Sequence, residues 1–315
     1  MQNLPPELLE GPFPLARSRE LGVSRRVLAR HFVRLHHKVW VHRDRELTDD
    51  DRVLAARLAL PDRAHLTGIT LIQQLGLDFG PRLPLRFVIS GDHHLALDGV
   101  FLHRTKRLPP LGVIGVTPAA AFIAYCARAR VIDAIKVGDW LLHRGHMTID
   151  EVRALALREL WRDGAHEAIW ILEHLDADAR SLPESEVRVL LVFAGLPRPE
   201  LNVAVDDGSD AQVIPDLVYR RWRTVVEHEG AQHQEDRRQY NLDLGRYAWM
   251  RRHDVGYVQS THEKLHNPRS LVGEVFMELV SRGYDGPPPV FGERWATLFA
   301  RVSEVLGPRN YARQR

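Results

Sequence analysis

The segment 213–233 constrains the fold more than any other part of this 315-residue sequence. It contains two short runs rich in β-branched residues, VIPDLVY and TVVEHEG, separated by the basic stretch RRWR. Such runs on either side of a short polar stretch are typical of a β-hairpin. A loop of even length centred on RRWR would place Asp216 directly opposite Glu227, with Cβ atoms roughly 5 Å apart.

Three acidic side chains then lie on one side of the predicted hairpin. Side chains two apart on a strand share a face, so Glu227 and Glu229 point the same way. Like charges placed opposite one another destabilise a sheet, which makes Asp216 beside Glu227 unfavourable without compensation. The three carboxylates therefore need a nearby cation or a raised pKa, and a divalent metal is the simplest way to satisfy them.

The N-terminal region carries a local excess of positive charge. The net charge of the whole chain is only +2, but residues 15–45 contain nine Lys or Arg against Glu20 and Asp44. A concentrated basic face beside a near-neutral remainder is typical of nucleic-acid binding. The alternative is a solvated surface helix.

The order of elements in this region predicts a winged helix-turn-helix. A short helix at 14–21 ends at Gly22, Ser24 can cap a second helix over 25–37, and 38–42 alternates like a strand. In such a module the second helix enters the major groove of duplex DNA. The candidate DNA contacts are Arg25, Arg26, Arg30, Arg34, Lys38 and Arg43. A plain helical cap is the alternative, because arginine spacing alone is a weak motif.

The remaining patterns indicate an α/β protein (α+β overall) with three domains. We predict a winged-helix domain at 1–47, a mixed α/β middle domain at 48–178 and a further α/β domain with an extra C-terminal helix at 179–315. Strands are expected at Leu85–Ser90 and Val100–Thr105 in the middle domain. No apolar run approaches the ~20 residues of a membrane span. The chain has one cysteine, Cys126, and no recognisable secretion signal, so we expect a reducing cytoplasm.

Four stretches between residues 181 and 283 resemble a known family: SLPESEVRVLLVFAGLPRP, IPDLVY, VEHEGAQH and LDLGRYAWMRRHDVGYVQST. They are similar to the PD-(D/E)xK nuclease superfamily, and within it to bacterial proteins related to very-short-patch-repair endonucleases. The resemblance implies a restriction-endonuclease-like fold. It matches Glu184 to the helix Glu and Asp216 to the Pro-Asp element, and it places Glu227-His228-Glu229 on the (D/E)xK element and His233 on a nearby histidine. The sequence departs from the family pattern at the Lys, where Glu229 stands.

The implied chemistry is metal-dependent cleavage of double-stranded DNA. Phosphodiester hydrolysis needs a metal to neutralise charge and to lower the pKa of the attacking water, and carboxylate oxygens suit Mg²⁺ or Mn²⁺. By hypothesis Asp216 and Glu227 are direct ligands, Glu229 is a ligand or orients the water, and Glu184 acts through a metal-bound water. His233 would be the general base or a phosphate contact. Further candidate phosphate contacts are Arg237, Arg238, Arg246, Arg251 and Arg252.

Each of these residues also has a structural interpretation. Ser181-x-x-Glu184 is a capping box, in which Glu184 only satisfies the helix N-terminus. Asp216 follows a proline and could sit on an exposed edge. Glu227 and Glu229 could form the solvent face of a half-buried strand, and His233 alone would be a surface residue in most proteins. It is the joint occurrence of these residues that favours a site.

The N-terminal two thirds carries a second resemblance. Residues 13–60 and the α/β region that follows resemble the AbiEi-type antitoxins of abortive-infection systems, which bind their own promoter with a winged helix. Two functions follow as expectations. One is a metal-dependent DNA endonuclease that a winged helix delivers to duplex DNA. The other is a DNA-binding regulator or antitoxin with a cognate toxin partner and a degenerate nuclease fold.

Overall fold

The protein is an α/β protein, as predicted, and its described residues form helices and three small sheets. The computed structural model describes residues 4–92, 95–205, 213–229 and 249–307. The chain divides into two compact units, Met1–Ala124 and Tyr125–Arg315. The domain boundaries predicted near residues 47 and 178 fall inside these units and stay predictions.

The N-terminal unit begins with the element order of a winged helix-turn-helix. The sheet has the order β1-β3-β2 and is antiparallel. Its core contains the buried side chains of Leu8, Phe13, Leu28 and Phe32, with the Phe13 and Phe32 rings packed edge to face at 5.2 Å. The elements are a 3₁₀ turn (Pro6–Leu8), β1 (Phe13–Pro14), α1 (Leu15–Glu20), α2 (Arg25–His31), β2 (Phe32–His36) and β3 (Val39–His42).

The predicted helix over 25–37 is wrong beyond His31, where β2 begins. Phe32 pairs with His42 and Val33 with Val41. Apolar residues at 27, 28, 32 and 35 fit a helical stripe, but from Phe32 the chain pairs with β3, with Phe32 buried and Val33 and Arg34 both exposed. Strand pairing with β3 therefore overrides the helical pattern. Arg34 consequently lies on β2 rather than on the helix.

The rest of this unit follows the sequence prediction closely. Its elements are α3 (Asp49–Ala59), β4 (His65–Leu66), α4 (Gly68–Gln74), β5 (Leu85–Ser90) and β6 (Val100–Thr105), so both predicted strands have their predicted bounds. Thr48 and Asp51 form a capping box at the start of α3. Arg45 donates two hydrogen bonds to Asp51, at 2.9 and 3.0 Å, and so joins the end of the winged-helix segment to α3.

Helix α5 (Pro118–Cys126) crosses the boundary between the two units. Its first helical residue is Pro118, and the Thr117 hydroxyl accepts from the Ala120 amide at 3.4 Å, as the sequence predicts for an N-cap. Cys126 is fully buried, and burial raises the pKa of its thiol, so this cysteine stays in the unreactive thiol form.

The C-terminal unit packs a helical layer on a four-stranded mixed sheet. The helices α6 (Val131–His143) and α9 (Leu182–Phe193) are joined by a buried ion pair between Asp139 and Arg188 at 2.7 Å. The sheet order is β10-β9-β8-β7, with β8 antiparallel to both neighbours and β9 parallel to β10. The other elements up to the sheet's last strand are α7 (Ile149–Arg158), α8 (Ala165–Leu172), β7 (Glu200–Leu201), β8 (Leu217–Tyr219), β9 (Thr224–Glu229) and β10 (Gly256–Thr261).

The helices after the sheet differ from the sequence prediction at one place. They are α10 (His262–Leu265), α11 (Pro268–Ser281), α12 (Glu293–Thr297) and α13 (Val302–Val305). The extra C-terminal helix that the sequence predicts is instead two short helices, because the chain leaves the helix after Thr297. There the carbonyls of Leu298 and Ala300 accept from the amides of Ile132 and Val131. The predicted helix over 232–253 lies outside the described residues except at its end, where 249–252 are helical. Within the described chain no helix is long and apolar enough to span a membrane.

Candidate functional site

The hairpin has the predicted register. Leu217 pairs with Val226 and Val218 with Val225, around a 3₁₀ turn. Continued by one residue, this register places Asp216 opposite Glu227, just before β8 begins. Asp216 Oδ2 accepts a hydrogen bond from the His228 amide at 2.8 Å, so the carboxylate binds the backbone of β9.

Glu229 stands where the family pattern has a lysine, and β10 holds its carboxylate. The Tyr257 hydroxyl donates to Oε1 at 3.3 Å, and the Gln259 side-chain amide donates to Oε2. Gln259 lies opposite Glu227 in the parallel register of β9 and β10. Glu227 itself is buried, with 8% of its surface exposed. The carboxylates of β9 are thus set among polar groups of the neighbouring strand rather than on a solvated face.

Glu184 reaches this end of the hairpin through Asn202. Its Oε2 accepts from the Asn202 side-chain amide at 2.7 Å and from the Arg180 amide at 2.9 Å. The Asn202 amide in turn donates to the Asp216 carbonyl at 3.0 Å. Ser181 Oγ accepts from the Glu184 amide at 3.3 Å, so one half of the predicted capping box is present. Glu184 therefore does more than cap α9, because its side chain also bonds Asn202, whose backbone amide bonds the Asp216 carbonyl.

His228 faces the helix side of the sheet. Its Nδ1 and Ser260 Oγ lie 3.2 Å apart in a hydrogen bond. Burial lowers the pKa of His228, although the nearby carboxylates of Glu186 and Glu184 oppose that shift. The imidazole is accordingly neutral at pH 7, with its orientation fixed by a buried hydroxyl.

The structure does not assemble a finished metal site from the predicted ligands. Within the described ranges, no three His, Cys, Asp or Glu side chains are grouped so that they could hold a metal ion. The carboxylate oxygens of Asp216, Glu227 and Glu229 have the chemistry that Mg²⁺ or Mn²⁺ prefers, but their described arrangement does not fit a complete coordination shell. His233, Arg237, Arg238 and Arg246 lie outside the described residues.

Sequence reasoning missed the residues that hold these carboxylates in place. Tyr257 and Gln259 lie on β10 and bond Glu229, and Asn202, just after β7, bonds Glu184, while Ser260 of β10 bonds His228. These contacts exist only after the sheet forms. Tyr257, Gln259 and Ser260 lie in one of the stretches that resemble the nuclease family, but the resemblance gives them no role. Asn202 offers one local signal: it adopts a left-handed φ of 51°, a conformation that asparagine tolerates better than most residues.

The winged-helix segment presents a second candidate surface, the basic face, made of Arg25, Arg26, Arg30, Arg34 and Lys38. All five side chains are exposed, and none has a carboxylate partner within the part of the chain that the structure describes. Arg17 and Arg45 nearby are paired, with Glu20 and Asp51. Arg43 is exposed and donates to the Ala29 carbonyl at 3.4 Å. The described cations of this region without a carboxylate partner thus lie mostly on the second helix and the β2–β3 hairpin, together with the exposed Arg19 of α1.

Ser24 fixes the start of the basic face. Its hydroxyl accepts from the Val27 amide at 3.3 Å, as predicted for the N-cap of α2. Arg25 and Arg26 are then the first two helical residues, the positions that contact bases when such a helix enters a major groove. Lys38 lies at the tip of the β2–β3 hairpin in a left-handed conformation, with φ of 62°.

Two sequence comparisons with known proteins were negative. No protein-family model matches the chain, and no curated protein gives a significant sequence match. The resemblances to nucleases and to antitoxins therefore remain predictions that depend on the motifs themselves.

Proposed function

We propose that the protein binds double-stranded DNA through the basic face of its winged-helix segment. The observation that carries this proposal is the set of exposed, unpaired cations on α2 and the β2–β3 hairpin, beside paired arginines on either side. Like charges held close together repel one another and attract a polyanion. The phosphate backbone of duplex DNA supplies such charge at regular spacing.

The alternative of a merely solvated surface explains the exposure but not the position of the charges. Arg25 and Arg26 open the second helix, and Lys38 sits on the wing that follows. In a winged helix these are the two elements that approach the duplex, the helix in the major groove and the hairpin beside it. The position of the cations therefore supports DNA over a less ordered polyanion.

Fluorescence anisotropy with a labelled duplex of about 30 base pairs tests this proposal. Replacing Arg26 and Arg30 by Gln should weaken binding roughly tenfold or more, because each lost contact removes a favourable electrostatic interaction. Arg57→Gln is the matched control, since Arg57 is an exposed arginine of α3 in the same unit. Equal affinity of the wild type and the double variant would contradict the proposal.

Metal-dependent hydrolysis of DNA at the hairpin is the second candidate function. It is favoured by the register that sets Asp216 opposite Glu227, with Glu184 tied to the same loop through Asn202. The carboxylate oxygens of these acidic residues have the chemistry that Mg²⁺ or Mn²⁺ prefers, which supports this candidate. Hydrolysis would require Mg²⁺ or Mn²⁺ to complete a site that the described residues leave incomplete.

An assay with supercoiled plasmid distinguishes the endonuclease from the DNA-binding regulator or antitoxin. Wild-type protein with Mn²⁺ should nick the plasmid, and Asp216→Asn should abolish nicking while it leaves duplex binding unchanged. If neither protein nicks and both bind, the DNA-binding regulator or antitoxin with a toxin partner becomes the better hypothesis. Nicking by both proteins alike would remove Asp216 from the proposed site.

A further inference from the structure

The turn of the hairpin carries a second group of cations, at the opposite end of β9 from the carboxylates. An open cleft of about 290 Å³ lies there, within the C-terminal unit. Three of its lining residues are arginines from two different elements, the hairpin turn and the end of α11. The cleft is lined by Arg221, Trp222, Arg223, Asp254, Ser281 and Arg282.

Two lining residues hold the backbone in an unfavourable conformation. Arg223 has a φ of 46° and Asp254 a φ of 53°, although neither is glycine. A left-handed backbone is unfavourable for such residues and is concentrated at functional sites. The two are bonded to each other, since Arg223 Nε donates to the Asp254 carbonyl at 3.4 Å. The strained backbone thus brings the starts of β9 and β10 together at the cleft.

Arg282 is fixed in the wall of the cleft. Its guanidinium donates to Glu278 at 2.7 Å and to the Asp254 carbonyl at 2.7 Å, and its side chain is 20% exposed. Gly256 makes room for it, because a Cβ at that position would collide with the Arg282 and Glu278 side chains. A guanidinium held by several bonds has already lost its conformational freedom, so binding an anion costs it little further entropy.

Arg221 contributes a positive charge to the cleft that no described carboxylate neutralises. It is exposed, has no carboxylate partner among the described residues, and lies with its guanidinium 5.3 Å from the centre of the Trp222 ring. Arg220, its neighbour, is paired with Glu200 at 2.9 Å. Among the described residues, Arg221 and Arg223 have no carboxylate partner, and Arg223 is held by backbone carbonyls. Arg282 is paired with Glu278 and, at 3.4 Å, with the Asp254 carboxylate, which also lines the cleft.

We propose that this cleft binds a phosphate group. Planar guanidinium groups present paired donors that match phosphate oxygens, and charge-assisted bonds of this kind are stronger than neutral ones. The source of the phosphate is the backbone of the duplex, so the C-terminal unit makes its own contact with DNA. This assignment rests on the proposed function, whereas binding of a free phosphate would use the same groups without it.

Calorimetric titration of the full chain with inorganic phosphate tests the cleft by itself. Arg221→Gln should weaken phosphate binding about tenfold or more, and Arg158→Gln, an exposed arginine of α7, should not. Gly256→Ala should weaken it as well, by displacing Arg282, and thermal unfolding of this variant checks that it folds. Phosphate binding that is unchanged in both Arg221→Gln and Gly256→Ala would overturn the proposal.

Duplex binding then identifies the source of the phosphate. If DNA supplies it, Arg221→Gln should lower the slope of log affinity against log salt concentration by about 0.9, the value for one phosphate contact. An unchanged slope, with phosphate binding lost, supports the cleft and assigns it to a free phosphate. If the wild type binds no duplex, the proposed function fails while the phosphate titration still decides whether the cleft is a site.

Discussion

The buried pair of Asp139 and Arg188 joins α6 to α9 in the C-terminal unit. Asp139 is fully buried and Arg188 is 2% exposed, and Asp139 also accepts from the Asp176 amide at 2.7 Å. Burial raises the pKa of Asp139 to about 6, although the Arg188 charge opposes that shift. An aspartate can therefore take up a proton if its partner is lost, whereas an arginine keeps its charge.

That difference predicts an asymmetry between two single variants. Asp139→Leu should lower the free energy of unfolding by about 3–5 kcal/mol, because it leaves a buried charged guanidinium without its partner. Arg188→Leu should cost less, since Asp139 can become neutral. Urea unfolding at pH 7 measures both. The double variant should be more stable than Asp139→Leu, and the reverse order of the two single variants would contradict this argument.

The lowered pKa of His174 should make the stability of the C-terminal unit depend on pH. Its ring lies between Trp170 and Phe193, and burial is the main cause of its lowered pKa, with Arg188 among the charges that lower it further. An unfolded histidine titrates near 6.5, above the folded value. This contribution to stability is therefore fully present above pH 6.5 and is lost as the pH falls through the folded pKa.

Comparison of His174→Phe with the wild type isolates this effect. The phenyl ring keeps the aromatic packing but takes up no proton, so the free energy of unfolding should fall less between pH 7.5 and pH 5.5 than in the wild type. Urea unfolding at the two pH values gives both differences. Equal losses in the two proteins would exclude His174 as a source of acid sensitivity.

At the candidate site, the sequence predicts where the carboxylates lie better than it predicts their hydrogen-bond partners. The opposition of Asp216 and Glu227 follows from the hairpin alone, because pairing register is a local property of turn and strand length. The bond between Glu184 and Asn202 joins residues 18 apart, and Gln259 reaches Glu229 from a strand 30 residues away. No local pattern specifies such bonds, since they exist only once the sheet has formed.

At the scale of the elements, a substitution in the β2–β3 hairpin should weaken DNA binding without lowering the stability of the protein. Lys38 occupies its tip with a φ of 62°, a conformation that glycine adopts without the cost of about 1–2 kcal/mol that other residues pay. Lys38→Gly should therefore leave stability unchanged or raise it by up to about 1 kcal/mol, after the entropy of glycine is counted. Duplex affinity should nevertheless fall several-fold, because a phosphate contact is lost.

Thermal unfolding and anisotropy on the same samples check this prediction. Lys38→Arg keeps the charge and should retain the affinity, which makes it the matched control. A Lys38→Gly protein that binds like the wild type would mean that the wing does not touch the duplex.

The sequence patterns predict some elements correctly and fail at others, where contacts with distant parts of the chain decide the local structure. The strands Leu85–Ser90 and Val100–Thr105 carry the predicted bounds, and α3 begins at its predicted cap, because turn and cap residues flank each of them. The segment Phe32–His36 was predicted as helix because its apolar spacing fits either period. Residues 298–301 leave the helix because α6 offers them backbone partners, which the local sequence does not encode.

The whole molecule consists of two units, each with a cationic surface of its own. In the N-terminal unit it is the basic face of the winged helix, and in the C-terminal unit it is the cleft at the hairpin turn. With a net charge of +2, the chain as a whole is nearly neutral, so these local surfaces, rather than bulk attraction, should govern binding. Duplex binding should accordingly depend on a few identified arginines.

The salt dependence of duplex binding tests this central claim most directly. We expect log affinity to fall steeply and linearly with log salt concentration for the wild type. In a variant with Arg25, Arg26 and Arg30 all replaced by Gln, the slope should decrease by up to about 0.9 for each arginine that contacts a phosphate. A variant with the slope and affinity of the wild type would contradict DNA binding by the winged helix.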